Sequence, residues 1–189
     1  LTPQGGRMSD MFHGQNTYSF PPPRDCQTKA IESLREGLRA GHKNQLLVLP
    51  TGGGKTIASL MLIAESLKKG RRATFACDRI TLINQASENA DKYGLQNHGI
   101  VQADHWRRDK SLPFQIASVQ TIQARGWWPE SDLVVIDEAH VLHAAHKELL
   151  EAKKVPVIGL TATPCTKGLG RYFTNVVNAA TMHELTEVG

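Results

Sequence analysis

Two short stretches combine residue types that bind phosphate and activate water. In the first, Leu49–Thr56, three consecutive glycines precede a lysine and a threonine. Consecutive glycines let backbone N–H groups turn toward an anion, and a helix that starts behind them adds its positive end. The Lys55 ammonium would reach the β- and γ-phosphates, and the Thr56 hydroxyl would bind Mg²⁺. This predicts an ATP site formed by Thr51, Gly52, Gly53, Gly54, Lys55 and Thr56.

The second stretch, Val134–His140, is an apolar run that ends in two carboxylates. We expect Asp137 to hold Mg²⁺ through water, and Glu138 to orient or deprotonate an attacking water. Each stretch has a simpler alternative, because glycines also make flexible loops and acids are favoured before any helix. Their order, each behind a hydrophobic run, favours nucleotide hydrolysis.

Hydrophobic periodicity places both stretches in an alternation of strands and helices. The predicted strands are 45–49, 73–77, 99–102, 114–119, 133–136 and 155–160. The predicted helices run from a cap at Asp25 to a stop at Gly41, and over 56–69, 80–93 and 147–152. Such alternation requires a parallel sheet with right-handed crossovers, in which ligands bind beyond the carboxyl ends of the strands. Lys55, Asp137 and Thr161 follow strand ends, so we expect them to converge on one edge.

The chain resembles the superfamily 2 helicases and translocases with a DEAH box in five stretches. Pro50–Thr56 resembles that family's motif I, Asp137–His140 its motif II, and Thr161–Pro164 its motif III. Arg24–Gln27 resembles the Q region, which reads adenine, and Ala117–Ile122 resembles a motif that contacts nucleic acid. The strict phosphate-loop pattern is broken because Leu49 stands where its first glycine belongs. The segments Ser118–Thr121 and Gly159–Pro164 are similar to the RadD-like and phage-encoded helicases.

The resemblance implies an α/β, three-layer RecA-like P-loop NTPase fold with a central, mostly parallel sheet flanked by helices. Residues 18–189 would form its first, ATP-binding lobe, and residues 1–17 a disordered tail or cloning remnant. In the family a second RecA-like lobe supplies an arginine finger. No segment after Pro164 resembles that lobe, so we expect residues 18–189 to have little activity without it.

The resemblance also assigns residue roles around the nucleotide. His140 would complete the catalytic set of Lys55, Asp137 and Glu138, and Gln27 with Arg24 would contact adenine. The alternative for Gln27 is an exposed polar residue at a helix start. Cys26 stands where the family often has an aromatic residue, so Tyr18 or Phe20 would stack on the base instead. Residues expected to couple ATP to nucleic acid are Thr161, Ala162 and Thr163, whose hydroxyls alternatively bond the turn before Pro164.

Nucleic-acid contacts follow from the same resemblance. The matched residues are Arg79, Gln85, Ser118, Gln120 and Thr121. Short polar side chains of this kind suit phosphate contacts that carry no base information. DNA is the expected partner, with RNA as the alternative.

Three further groups have open interpretations. Arg107, Arg108 and Lys110 beside Trp106 could touch a strand by charge and stacking, but a solvated loop is favoured. Trp127–Pro129 could form core packing, a partner surface or a base wedge, and packing is favoured. His140, His143 and His146 recur at helical spacing. A metal site there is disfavoured, and the last two histidines are expected on a solvated helix surface.

Composition limits the class of protein. The chain has 189 residues, of which 40% are hydrophobic and 21% charged, and a net charge of +4. These values fit one globular domain compatible with nucleic-acid binding. No apolar run is long enough to span a bilayer and no secretory signal is recognisable. Three scattered cysteines fit a reduced, cytoplasmic protein.

Two other functions use some of these features. An ATP-gated nucleic-acid-binding or regulatory module without helicase activity is the main alternative to an ATP-dependent DNA helicase or translocase. A small-molecule kinase is disfavoured, because it needs neither Asp137–His140 nor Thr161–Pro164.

Overall fold

Seven parallel strands form a central sheet in the part of the chain that the structure describes. The computed structural model describes residues 18–50, 52, 54–163 and 167–179. In chain order the strands are β1 (Asn44–Val48), β2 (Ala73–Cys77), β3 (His98–Val101), β4 (Phe114–Ser118), β5 (Leu133–Ile136), β6 (Val157–Thr161) and β7 (Asn175–Asn178). They lie in the order β3-β4-β2-β5-β6-β1-β7. Every pairing is parallel.

Five helices and one 3₁₀ turn accompany the strands in the described residues. The helices are α1 (Asp25–Arg39), α2 (Lys55–Lys68), α3 (Ile80–Lys92), α4 (Val119–Arg125) and α5 (Ala144–Ala152), and the 3₁₀ turn is Leu169–Arg171. The cap predicted at Asp25 is wrong by one residue, because Arg24 has the extended backbone of a cap and Asp25 is already helical. Neither α4 nor β7 is predicted by periodicity, and α5 begins three residues earlier than expected.

The side chains of each central strand alternate between two cores, one on each face of the sheet. Leu47 and Leu49 join the larger core, which includes buried residues of α1, α2 and α3. Leu46 and Val48 join the opposite core, to which α5 contributes Leu150. The sheet is therefore the middle of three layers, and the predicted α/β fold with a central parallel sheet is confirmed.

All seven strands point the same way, so their carboxyl ends lie at one edge of the sheet. The chain leaves that edge through the turns before α2, α3, α4 and α5. The expectations for residues 1–17, Thr51, Gly53, Pro164 and residues 180–189 lie outside the described residues. In the described ranges, none of the helices has the length and apolar character needed to cross a membrane.

Candidate nucleotide and nucleic-acid site

Three adjacent strands deliver the predicted phosphate and metal residues to the carboxyl edge. β6 lies between β1 and β5. The chain leaves β1 through Gly52 and Gly54 to Lys55, leaves β5 at Asp137, and completes β6 at Thr161. Two backbone hydrogen bonds continue the pairing past the strands, from Leu49 N to Thr161 O (3.1 Å) and from Ala139 N to Leu160 O (2.8 Å). The expected convergence on one edge is therefore seen.

Gly54 is held in a conformation that only glycine adopts without strain. Its φ is +76°, and a Cβ at this position would lie 2.2 Å from Gln27 Nε2. The Gly54 carbonyl accepts a hydrogen bond from Ala58 N at 3.0 Å and another from Gln27 Nε2 at 3.3 Å. The chain thus turns tightly into α2, whose second residue is Thr56.

Gln27 is 3% exposed, so its interpretation as an exposed polar residue at the helix start is wrong. Its Oε1 accepts a hydrogen bond from Arg24 N at 2.9 Å, which secures the first turn of α1. Arg24 in turn donates from Nη1 to Gly52 O at 3.1 Å. The two residues predicted to contact adenine therefore bind the backbone of the glycine-rich turn.

The two aromatic residues proposed as base-stacking substitutes lie elsewhere. Phe20 stacks on Tyr93 with ring centroids 5.1 Å apart, and both Tyr18 and Phe20 pack against the larger core. Tyr93 follows α3, which runs from the carboxyl edge toward the opposite edge. The proposed stacking of Tyr18 or Phe20 on adenine is therefore wrong, because their neighbours lie away from Gly54.

A lysine and two carboxylates meet at the centre of the site. Lys55 Nζ lies 4.0 Å from Glu138 Oε1, and the Lys55 side chain is 12% exposed. Burial, together with the neighbouring charge of Glu138, raises the pKa of Asp137 to about 6. Hydrogen bonding to Glu138 N and the charge of Lys55 act in the opposite direction. Negative charge at Asp137 is therefore under-compensated by the protein alone.

Glu138 sits in a tight turn with a left-handed backbone, at φ +49°. Such a conformation costs a non-glycine residue roughly 1–2 kcal/mol. Glu138 N donates to Asp137 Oδ1 at 3.0 Å, and Val141 N donates to Glu138 O at 3.0 Å. His140 Nδ1 lies 3.1 Å from Glu138 Oε2, although the two atoms are not aligned for a hydrogen bond. Backbone strain is thus retained where the carboxylates and the histidine meet.

The two threonines expected to couple the ATP site to nucleic acid are hydrogen-bonded to each other. Thr161 Oγ1 donates to Thr163 O at 3.1 Å and accepts from Thr163 N at 3.0 Å. Thr161 is fully buried, Ala162 is half-buried and Thr163 is exposed. Thr161 therefore does bond the turn, as the simpler interpretation expects. Its coupling of ATP to nucleic acid stays a prediction.

The predicted nucleic-acid residues gather beyond β2 and β4, which are neighbours in the sheet. Arg79 is exposed immediately before α3, and Gln85 is exposed farther along that helix. Ser118 is buried and caps α4 by accepting a hydrogen bond from Thr121 N at 3.3 Å. Gln120 donates its side-chain amide to the backbone carbonyl of Asp78. The structure brings all but Gln85 together at the two strand ends.

The tryptophans before β5 and the histidines around the start of α5 are at least half-buried. Trp127 and Trp128 are half-buried and pack against the core that contains α4 and α5 residues, in agreement with the packing interpretation. His146 is 1% exposed and its ring lies 6.0 Å from that of Trp128, so the solvated-surface prediction for His146 is wrong. His143 is half-buried just before α5. Helical spacing did not reveal that this face of α5 turns inward.

Arg107 also differs from its expected place in a solvated loop. Its Nη1 lies 2.9 Å from Asp91 Oδ2 and 2.8 Å from His98 Nε2. The same Nη1 donates to Ser87 Oγ at 3.2 Å. Ser87, Asp91, His98 and Arg107 form a cluster that sequence reasoning missed, because its members come from different elements without motif spacing.

Comparisons with known proteins agree with this geometry. The family described as "Type III restriction enzyme, res subunit" matches residues 20–166. The chain is 31% identical over 164 residues to the type I restriction enzyme EcoAI endonuclease subunit of Escherichia coli, covering 75% of this chain and 19% of the relative. It is 26% identical over 159 residues to the ATP-dependent DNA helicase Hel308 of Methanocella arvoryzae, covering 74% of this chain and 20% of the relative.

A solved structure supports the same fold. The UvsW helicase from bacteriophage T4 superposes with a TM-score of 0.70 at 16% identity, covering 90% of this chain and 66% of that one. The chain spans about a fifth of the length of the two curated relatives just described. The chain has the same α/β fold, with a central parallel sheet, as the UvsW helicase, and it belongs to the family described as "Type III restriction enzyme, res subunit".

Proposed function

We propose that this chain is the ATP-binding and ATPase lobe of an ATP-dependent DNA helicase or translocase. One observation carries the proposal: a lysine that follows a glycine turn lies 4.0 Å from a carboxylate beside a second, buried carboxylate. Phosphate, metal and water need these three groups at one place. The ATP-dependent DNA helicase among the relatives supports the same class of substrate.

The residues present fit Mg²⁺. The Asp137 carboxyl is buried next to Glu138, and this raises its pKa to about 6, which means that its charge lacks a sufficient counter-ion. A divalent cation held by Asp137 through water, and by the Thr56 hydroxyl, would supply that charge. When bound, Mg²⁺ would neutralise phosphate oxygens and favour attack by water.

The chain's own residues would do the remaining work. Lys55 would neutralise the β- and γ-phosphates, and backbone N–H groups of the glycine turn would bind phosphate oxygens. Glu138 would orient the attacking water and accept its proton. Arg24 and Gln27 would contact adenine while they hold the Gly52 and Gly54 carbonyls by hydrogen bonds, so that binding of the base would affect the glycine turn.

Nucleic acid would bind along the same edge, beyond β2 and β4. Exposed Arg79 offers a cation, and the Gln120 amide and Thr121 hydroxyl offer hydrogen-bonding groups. Such groups bind the sugar–phosphate backbone without reading bases, as a protein moving along DNA requires. We propose DNA as the partner, with affinity that falls as salt rises.

A second RecA-like lobe would complete catalysis. The charge that develops on the transferred phosphoryl group requires another cation near Lys55, and in related nucleotide hydrolases an arginine finger contributes roughly 10³–10⁵ in rate. Lobe closure around ATP would then alternate the grip on DNA. The proposal of a second lobe rests on the resemblance to helicases. The chain spans 19% and 20% of the length of the two relatives described above.

Steady-state phosphate release with and without DNA tests the proposal, using the chain alone and the chain mixed with a second lobe from a relative. We expect slow ATP turnover by the chain alone and DNA-stimulated turnover by the chain mixed with a second lobe, here called the complete enzyme. Glu138→Gln should abolish turnover in both samples. ATP-dependent DNA affinity without turnover in any arrangement would instead support the ATP-gated binding module.

A further inference from the structure

The loop between β3 and β4, residues 102–113 and here called the edge loop, displays an unusually exposed aromatic side chain. Trp106 is 82% exposed, whereas the other exposed large hydrophobic residues described, Ile80, Val176 and Val141, are 61%, 55% and 46% exposed. Trp127 and Trp128, by contrast, are half-buried in packing. An indole left in water over most of its surface contributes little to the folded core and is free to contact a ligand.

The edge loop is held firmly along β3, so Trp106 is displayed from a fixed backbone. Ile100 N donates to Arg107 O at 3.0 Å, and Gln115 Nε2 donates to Asp109 O at 2.9 Å. A Cβ on Gly99 would lie 2.2 Å from Asp109 O, so the loop rests directly on the strand. Farther along, the Arg72 guanidinium binds the carbonyls of Lys110, Ser111 and Leu112.

The neighbours of Trp106 orient its ring. Arg107 is anchored to Asp91 and His98, and its guanidinium carbon lies 5.1 Å from the centre of the indole. The His105 ring lies 5.8 Å from the Trp106 ring at an angle of 25°. Because little of the indole is covered by these groups, an ordered aromatic surface remains open to a ligand.

The edge loop continues the surface proposed to bind nucleic acid. Its Ala103 N donates to Thr121 Oγ1 at 3.4 Å, and Arg125 Nη2 donates to Ala103 O at 3.0 Å. The strands β2, β4 and β3 are successive neighbours in the sheet. The edge loop starts at the carboxyl end of β3, so DNA that passes the residues beyond β2 and β4 would reach the start of this loop next.

The chemistry of Trp106 selects a ligand. Indole rings stack on nucleobases without regard to sequence, and such stacking needs bases that are not enclosed in a duplex. Arg108, two residues after Trp106, adds a cation whose side chain is 49% exposed and lies 3.7 Å from Asp104 Oδ1. We propose that Trp106 is a base-stacking platform for single-stranded DNA, at the point where the strand leaves the carboxyl edge. This rests on the proposed function, because it assumes that nucleic acid follows that edge.

Fluorescence binding titrations with the 189-residue chain test the assignment. The probes are a single-stranded oligonucleotide with 2-aminopurine at successive positions and a blunt duplex of the same sequence. We expect Trp106→Ala to weaken single-strand binding by about 5- to 100-fold and to remove the quenching of one 2-aminopurine. Trp106→Phe keeps an aromatic face and should lose much less, whereas Trp106→Leu should resemble alanine. Duplex binding should change little.

Salt dependence separates stacking from charge. Trp106→Ala removes no phosphate contact, so its plot of log affinity against log salt should keep the wild-type slope. Arg79→Ala, the matched control, should weaken binding and reduce the slope by about 1.

The outcomes distinguish the two proposals. Unchanged single-strand affinity in Trp106→Ala, with Arg79→Ala weakened, would overturn the platform and leave the proposed function standing. Absence of any nucleic-acid binding by the wild-type chain would overturn both. If Trp106→Ala instead abolished self-association while leaving DNA affinity intact, the indole would be a protein contact and the platform would be wrong.

Discussion

The Gln27 side chain donates to the carbonyl of Gly54 across 3.3 Å, which ties the start of α1 to the turn before α2. The same amide accepts from Arg24 N, and Arg24 binds Gly52 O. One buried side chain thus connects the segment predicted to contact adenine with the segment predicted to bind phosphate. We expect that adenine bound by Gln27 and Arg24 would act on the backbone of Gly52 and Gly54 through these hydrogen bonds.

Substitution of Gly54 tests this connection. Gly54→Ala would place a methyl group against Gln27 Nε2 and force a left-handed backbone on alanine, so we expect a loss of roughly 1–3 kcal/mol in unfolding free energy. The matched control is Gly52→Ala, where φ is +85° but nothing lies within 4 Å of the added Cβ. Chemical denaturation should show a smaller loss for Gly52→Ala. Equal losses would show that the Gln27 contact has no energetic weight.

Glu138 offers a test in which stability and activity move in opposite directions. Glu138→Gly should relieve the strain of φ +49° and raise the unfolding free energy by about 0.5–1 kcal/mol, because glycine adopts this conformation freely. Glu138→Gln should leave stability nearly unchanged and preserve Mg·ATP binding. Both variants should lose hydrolysis in the complete enzyme, measured as phosphate release. Wild-type turnover in Glu138→Gln would remove the role assigned to this carboxylate.

His146 predicts a loss of stability in acid. Burial, with the nearby His143 charge, lowers the pKa of His146 to about 4. The unfolded chain therefore binds a proton near pH 6.5 that the folded chain takes up only near pH 4. Stability is fully present above pH 6.5 and is lost as pH falls toward 4, by up to about 3 kcal/mol.

Denaturation of wild type and His146→Leu between pH 7.5 and 4 isolates this contribution. Three other groups also respond over this range. Burial lowers the pKa of His98 and of His105, which adds to the acid loss, whereas the raised pKa of Asp137 opposes it. All three are common to the two proteins and cancel in the difference. Parallel stability curves would contradict the assignment of a proton-linked loss to His146.

The sheet was predictable because its strands are continuous apolar runs between helices. α4 was not, because only Val119 and Ile122 of its seven residues are buried and no helical period develops. The cap at Ser118 and the left-handed Gly126 that ends it were the available signals. β7 has only four residues, and its pairing with β1 depends on a contact distant in the chain.

The site was predictable where chemistry dictates residue type, as for Lys55, Asp137 and Glu138. It was not predictable where packing decides. Phe20 stacks on Tyr93 instead of lying near the glycine turn, because the segment before α1 is bonded to the end of α3 through Ser19 N and Tyr93 O. His146 turned inward because Trp128 lies against α5.

The central claim is that Lys55 and its carboxylate neighbours form a Mg·ATP site, and calorimetric titration of the 189-residue chain tests it most directly. We expect Mg·ATP to bind the wild-type chain. Lys55→Ala should bind about tenfold to a hundredfold more weakly at an unchanged unfolding temperature, because a charge-assisted phosphate contact contributes roughly 1.5–3 kcal/mol. Removal of Mg²⁺ should weaken binding to wild type. Equal affinity for Mg·ATP in wild type and Lys55→Ala, with both proteins folded, would contradict the account.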